Sequence, residues 1–343
     1  DALDKRRQAG CEDLTRWALA SVFGADNVHV GYTYPAPGRP DIDVLVATPG
    51  ATVVVEVKGG RFTDPARRAA PDRVRKKTRE FVDKALTQNA RTITHLQAGA
   101  DGLQDAKKRA VTIPNAPDPM SIIVTLDRVD PFATHLPDGG KRSDEPAAGT
   151  WLVALADLLV CTDILRHPAE FYTYAHTRAE INKVRSPLVI VENDALATWC
   201  EYRLAPDSSG HRHPQVLATS SQKIDDHYCH AGDDAERPER PSTGVPLEIL
   251  RALDEALRDR PEHWGGLAQA AFAIQPKNWR EFHRKLRQHG AAQSAQHLKR
   301  RDRKRARRAS HSIAVGAGLT VRFTTEASPS TIDSTTLIPR RLD

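Results

Sequence analysis

Residues 40–58 hold two runs that alternate as β-strands do, yet they carry charge where a core strand tolerates little. The runs are Pro40-Asp41-Ile42-Asp43-Val44-Leu45-Val46 and Val53-Val54-Val55-Glu56-Val57-Lys58. Successive side chains of a strand point to opposite faces, so Asp41 and Asp43 share one face, as do Glu56 and Lys58. Pro49-Gly50 between the runs is a turn signal that predicts a hairpin. A charge buried in such strands is costly unless a partner or a metal compensates it. Two carboxylates beside an ammonium meet that need with a chemistry: the acids hold a hard divalent cation, Mg2+ or Mn2+, and the lysine stabilises a developing oxyanion or an attacking water. The pattern predicts phosphodiester hydrolysis.

Asp43 followed by Glu56-Val57-Lys58 after a short hairpin resembles the motif of the PD-(D/E)xK nuclease superfamily. With Glu12 on a preceding helix, the two runs are similar to its NERD-type and Mrr-like domains. The resemblance covers about residues 1–130 and implies an α/β, restriction-endonuclease-like core in the order αβββαβ. Hydrophobic spacing supplies elements in that order. Gln8 to Phe23 reads as a helix with Leu14, Trp17, Ala18 and Val22 on its apolar face, and Val28 to Tyr34 as the first strand. The motif strands follow, then a helix over Lys76 to Gln97 with Phe81, Ala85, Ile93 and Leu96 in step, and a strand over Ser121 to Leu126. The resemblance further implies Asp43 and Glu56 as cation ligands, the Val57 carbonyl completing the shell, and Glu12 as an additional acid at the metal site. Lys58 is then the catalytic ammonium, and Gln88 on the second helix lies near the metal or the scissile phosphate. Pro40-Asp41 spells the motif literally, whereas Asp43 fits the Ile-Asp-hydrophobic pattern; either could be the ligand, and Asp43 is favoured.

Charge is localised. Residues 299–308 carry eight basic residues and one acidic, a net +7 against +6 for all 343 residues, so the remainder is about neutral. Such a block repels itself unless it is solvated or meets a polyanion, and Arg300, Arg301, Arg303, Lys304, Arg305, Arg307 and Arg308 predict contact with a nucleic-acid backbone. A second basic run, including Arg73, Arg75, Lys76 and Lys77, leaves the motif strand and suits phosphate tracking beside the expected metal site. DNA is favoured over RNA.

The length allows two domains or one decorated domain. Residues 1–130 form the nuclease-like part, 131–149 a linker rich in Pro, Gly and charge, and 150–343 a mainly helical accessory region. In that region helices are expected over 150–182, broken at His167-Pro168, and over 193–204. A further helical stretch, 246–288, breaks at Pro261 and Pro276; a strand is expected over 186–192, a hairpin over 312–325, and irregular polar chain over 206–245. Four scattered cysteines argue for reduced thiols and a cytoplasmic location, and no apolar run is long enough to span a membrane. His211, His213, His227, Cys229 and His230 lack zinc-site spacing. No Walker loop is present, so an ATP-driven step would fall to a partner NTPase or defence-complex subunit. The leading expectation is a metal-dependent nuclease in restriction or antiviral defence, the defence role resting on analogy alone. The alternative is a catalytically idle nuclease-like module that holds nucleic acid or serves assembly, self-association included.

Overall fold

Helix α1 (Ala2–Phe23) shows how period overrides hydrophobicity. At 100° per residue, Cys11, Thr15, Ala18 and Val22 fall within about 60° of arc, and these small residues form the buried stripe with Leu19 and Phe23. Leu14 and Trp17, expected on the apolar face, are 47% and 64% exposed because Trp17 lies on the opposite side of the helix. The helix also begins six residues before the expected Gln8. The computed structural model describes residues 2–38, 40–61, 71–114, 118–128, 149–183, 191–203, 221–229, 238–280, 284, 309–314, 319–325 and 332–339.

Three strands follow, β1 (Val28–Thr33), β2 (Asp41–Ala47) and β3 (Thr52–Lys58), paired antiparallel in sequence. The chain then crosses over through α2 (Pro71–Gln97) and returns as β4 (Met120–Thr125), parallel to β3. A parallel pair requires such a crossover. Elements therefore occur in the expected order α-β-β-β-α-β. A fifth strand, β5 (Thr150–Ala154), pairs parallel to β4 and completes a mixed sheet of order β1-β2-β3-β4-β5. This corrects the helical reading of residues 150–154: the run Trp151-Leu152-Val153-Ala154 is buried throughout and carries no alternation to mark it as a strand.

Helices α3 (Leu155–Ile164) and α4 (Pro168–Lys183) meet at His167-Pro168 as expected, and α5 (Glu192–Tyr202), α7 (Leu247–Asp259) and α8 (Pro261–Phe272) match helical stretches of the sequence. Helix α6 (Gln222–Tyr228) interrupts the segment expected to be irregular; seven residues are too few to show a period. Glu192 opens α5 rather than ending a strand, and the rest of that expected strand, 186–190, lies outside the described residues. Near the C-terminus β6 (Ala309–Ala314), β7 (Leu319–Thr325) and β8 (Ile332–Pro339) form an antiparallel sheet, so the expected hairpin gains a third strand, which runs beside α7 and α8.

The five-stranded sheet is covered on both faces, giving an α/β architecture. Val44, Val46, Val53, Val55, Val57, Ile122, Val124 and Trp151 face a cluster built with α1, α3, α4, α5, α7 and α8. This cluster runs from Cys11 to Trp279 and draws on chain from both sides of the 131–149 connection. Within it, the Arg178 guanidinium grips the Glu192 carboxylate at 3.0 Å while the Tyr174 hydroxyl donates to the same carboxylate. On the opposite face α2 packs through Phe81, Ala85, Ile93 and Leu96 onto Leu45, Val54, Ile123 and Leu152. Asn89 of α2 donates to Ser121 Oγ and to the Ile122 carbonyl of β4, both at 2.9 Å, which fixes the helix against the sheet.

Candidate active site

The hairpin of β2 and β3 closes at Thr48, whose N–H donates to the Ala51 carbonyl at 2.9 Å while its hydroxyl accepts the Ala51 N–H at 2.9 Å. Cross-strand pairing runs from Ala47↔Thr52 to Val44↔Val55 and stops there. Beyond that point a side chain takes over from the main chain: Asp43 Oδ2 accepts the Val57 N–H at 2.7 Å. Continuing the register would set Asp43 opposite Glu56 and Asp41 opposite Lys58. The acids thus gather where the ladder opens. Val53, Val55 and Val57 turn toward α1, and the alternation sends Glu56 and Lys58 toward α2. There Lys58 Nζ donates to Glu56 Oε1 at 2.5 Å and to Gln88 Oε1 at 2.9 Å. Gln88 is held in place because its neighbour Asn89 is anchored on β4.

The two carboxyls are electrostatically frustrated. Burial pushes the Asp43 carboxyl up to about 8, the negative charge of Glu56 pushes in the same direction, and the Val57 N–H pulls back only in part. Glu56, 4% exposed, is also raised by burial, against the opposing pull of Lys58. The charge of Glu56 acts directly on Asp43, and Glu12 adds to the field there. Two acids so placed, Glu56 buried and Asp43 half-buried, either share a proton or take up a cation. Their known bonds use one oxygen of each, Asp43 Oδ2 and Glu56 Oε1. Together with the Val57 carbonyl they form a hard oxygen donor set, and Mg2+ is commonly held by one or two carboxylates while keeping several waters. The residues therefore fit such a cation, although no group of three or more His, Cys, Asp or Glu side chains among the described residues is arranged to hold a metal ion.

Glu12 enters through a residue that the sequence reading did not single out. Gln8 lies one turn earlier on α1, and its Nε2 donates to Glu12 Oε1 at 2.7 Å and to the Val57 carbonyl at 2.8 Å. Its Oε1 accepts the Gly59 N–H at 2.7 Å, and Arg7 Nε donates to the Gly59 carbonyl at 2.7 Å. A Cβ on Gly59 would lie 2.8 Å from Gln8 Cα, and one on Gly60 would lie 2.5 Å from the Phe81 ring. The Gly59-Gly60 pair after the motif lysine, and a Gln one turn before Glu12, were the available sequence signals. Asp41 is exposed and sits at the rim, where its charge raises Glu56.

The remaining expected residues stand apart from this cluster. Lys76 is exposed on α2; Arg73, Arg75 and Lys77 lie on the same helix, their side chains outside the described residues. Arg300, Arg301, Arg303, Lys304, Arg305, Arg307 and Arg308 also lie outside the described residues, as do His211, His213 and His230. His227 Nδ1 is 2.8 Å from the Pro238 carbonyl, and Cys229 is exposed. No protein-family model, curated protein or solved structure matches the chain.

Proposed function

We propose that this chain is a metal-dependent nuclease of the PD-(D/E)xK kind, built on a restriction-endonuclease-like core, with DNA as its substrate and Mg2+ or Mn2+ as its cofactor. The observation that carries this reading is the meeting of Asp43, Glu56 and the Gln88-held Lys58 where β2 and β3 part. When bound, the cation supplies Lewis acidity at the phosphate. Asp43, Glu56 and the Val57 carbonyl hold it, and Glu12 adds negative charge from α1. Lys58 steadies the charge that grows as the phosphodiester is attacked, and Gln88 aims the ammonium. Preorganised groups of this kind act without reorganising during the reaction. The basic run along α2 and the block at 299–308 supply phosphate contacts that carry no sequence information.

The test is incubation with supercoiled plasmid, linear duplex, single-stranded DNA and RNA, each with Mg2+, Mn2+ or EDTA. Cutting should require the cation. Glu56→Ala should lose metal uptake and cutting together. Lys58→Ala should keep metal uptake while cutting falls by on the order of a hundredfold or more. Asp41→Ala should be the mildest change at the site. The reading is falsified if no substrate is cut, or if cutting survives both Glu56→Ala and Lys58→Ala; nucleic-acid binding without cutting would favour the idle module instead.

A further inference from the structure

We propose that Gln8 is a positioning residue for the cation site, acting through Glu12 and the Val57 carbonyl; this rests on the metal-dependent reading above. Gln8 makes three hydrogen bonds with one carboxamide, and each ends on a group at or next to the site. Nε2 spends its two protons on Glu12 Oε1 and the Val57 carbonyl, at 2.7 and 2.8 Å. Oε1 takes the N–H of Gly59, the residue immediately after Lys58, at 2.7 Å. Arg7 takes the other polar group of Gly59, so adjacent residues of α1 clasp both sides of one glycine. The fit is close enough that Gly59 cannot carry a Cβ without striking the α1 backbone at Gln8.

This geometry has a direct consequence for the donors. Val57 has its N–H tied to Asp43 and its carbonyl tied to Gln8, so both peptide groups flanking Val57 are fixed. A carbonyl oxygen has two lone pairs, and the Gln8 bond uses one of them. Glu12, partly exposed on a helix and otherwise free to rotate, is turned by the same amide toward the open end of the ladder, where its charge is felt at Asp43. Two oxygens from elements 45 residues apart, Glu12 and Val57, are thus held against one nitrogen. Partners of this kind orient the ligands of metal sites, and losing one typically lowers metal affinity or activity about 10- to 100-fold.

The test uses Mn2+ calorimetry on the full chain, paired with thermal melts in EDTA, for wild type, Gln8→Ala, Glu12→Gln and the double variant. Gln8→Met, of near-equal length, repeats the loss of the amide without opening space beside Gly59. Gln8→Ala and Gln8→Met should each raise the Mn2+ Kd by about 10-fold or more, and cutting at saturating Mn2+ should recover more than cutting at low Mn2+. In the Glu12→Gln background the same change should raise Kd by a smaller factor, because the part of its effect that passes through Glu12 is already lost while the part through the Val57 carbonyl remains. An unchanged Kd in both Gln8 variants, or equal losses with and without Glu12, would overturn the assignment. Wild type that binds Mn2+ yet cuts nothing would remove the nuclease reading and leave the role of Gln8 standing; wild type that binds no Mn2+ would remove both.

Discussion

Asp43→Asn should stabilise the metal-free protein at neutral and alkaline pH while removing its response to divalent cations. Asn preserves the acceptor for the Val57 N–H, 2.7 Å away, and places an amide rather than a second acid against Glu56. In the folded chain the Asp43 carboxyl is raised from 3.8 to about 8. Between those values the folded protein keeps a proton that the unfolded chain has released, so stability is fully present below about pH 4 and falls as pH rises through about 8. The shift spans roughly four pKa units, which at about 1.4 kcal/mol each sets a ceiling of about 6 kcal/mol. Glu56 shares the repulsion and relaxes when its neighbour is neutral, and the site is partly solvated, so about 1–3 kcal/mol is the expected gain near pH 8. At about 2.1 cal/mol/K per residue, a 343-residue chain unfolding as one unit would gain roughly 1–4 °C in Tm. Urea unfolding in EDTA at about pH 5 and about pH 8.5 measures the effect directly. Added Mn2+ at about 100 times its Kd should return roughly 2.7 kcal/mol to wild type and much less to the variant. A wild type whose metal-free stability is flat across that pH range, with Asp43→Asn no more stable, would refute the reasoning.

Gly60→Ala should lower stability by about 1–3 kcal/mol, because its Cβ would meet the buried Phe81 ring at 2.5 Å; combining it with Phe81→Leu should recover part of the loss in thermal melts, and strict additivity would count against the contact. Glu192→Gln leaves the buried Arg178 without its counter-charge and should cost about 3 kcal/mol or more by urea denaturation, whereas a loss under about 1 kcal/mol would mean that water reaches the pair. Replacing Arg303, Arg305, Arg307 and Arg308 by Ala should weaken nucleic-acid binding across all sequences and flatten the log-log salt slope by roughly 0.7 to 0.9 per displaced counterion. An unchanged slope would assign the block to protein assembly.

Alternation alone was enough to put Glu56 and Lys58 on one face, and the spacing of Phe81, Ala85, Ile93 and Leu96 anticipated the face that α2 buries. These are local signals, each carried within one element. Trp17 is apolar but out of phase: Cys11, Thr15, Ala18 and Val22 share the buried arc of α1, and the large ring lies on the opposite side. Strand β5 escaped because Trp151 to Ala154 runs directly into the equally apolar start of α3, so one hydrophobic stretch contains two elements. For Gln8 the sequence offers only its place one turn before Glu12 and the Gly59-Gly60 pair, neither of which names its partners. Its partners Val57 and Gly59 lie 49 and 51 residues away, and only the crossing of α1 over the end of β3 brings them together.

The packing of α1 against α3 also sets a clock. Helix α1 (Ala2–Phe23) precedes the sheet it packs on, yet one of its neighbours, α3 (Leu155–Ile164), is encoded more than a hundred residues later. At about 5–20 residues per second, α1 waits roughly 7 to 30 s during synthesis before that neighbour exists. A chain stopped at residue 130 never supplies it. Through that interval the buried stripe of α1 lacks part of its cover, which is completed only when the fifth strand and α3 emerge.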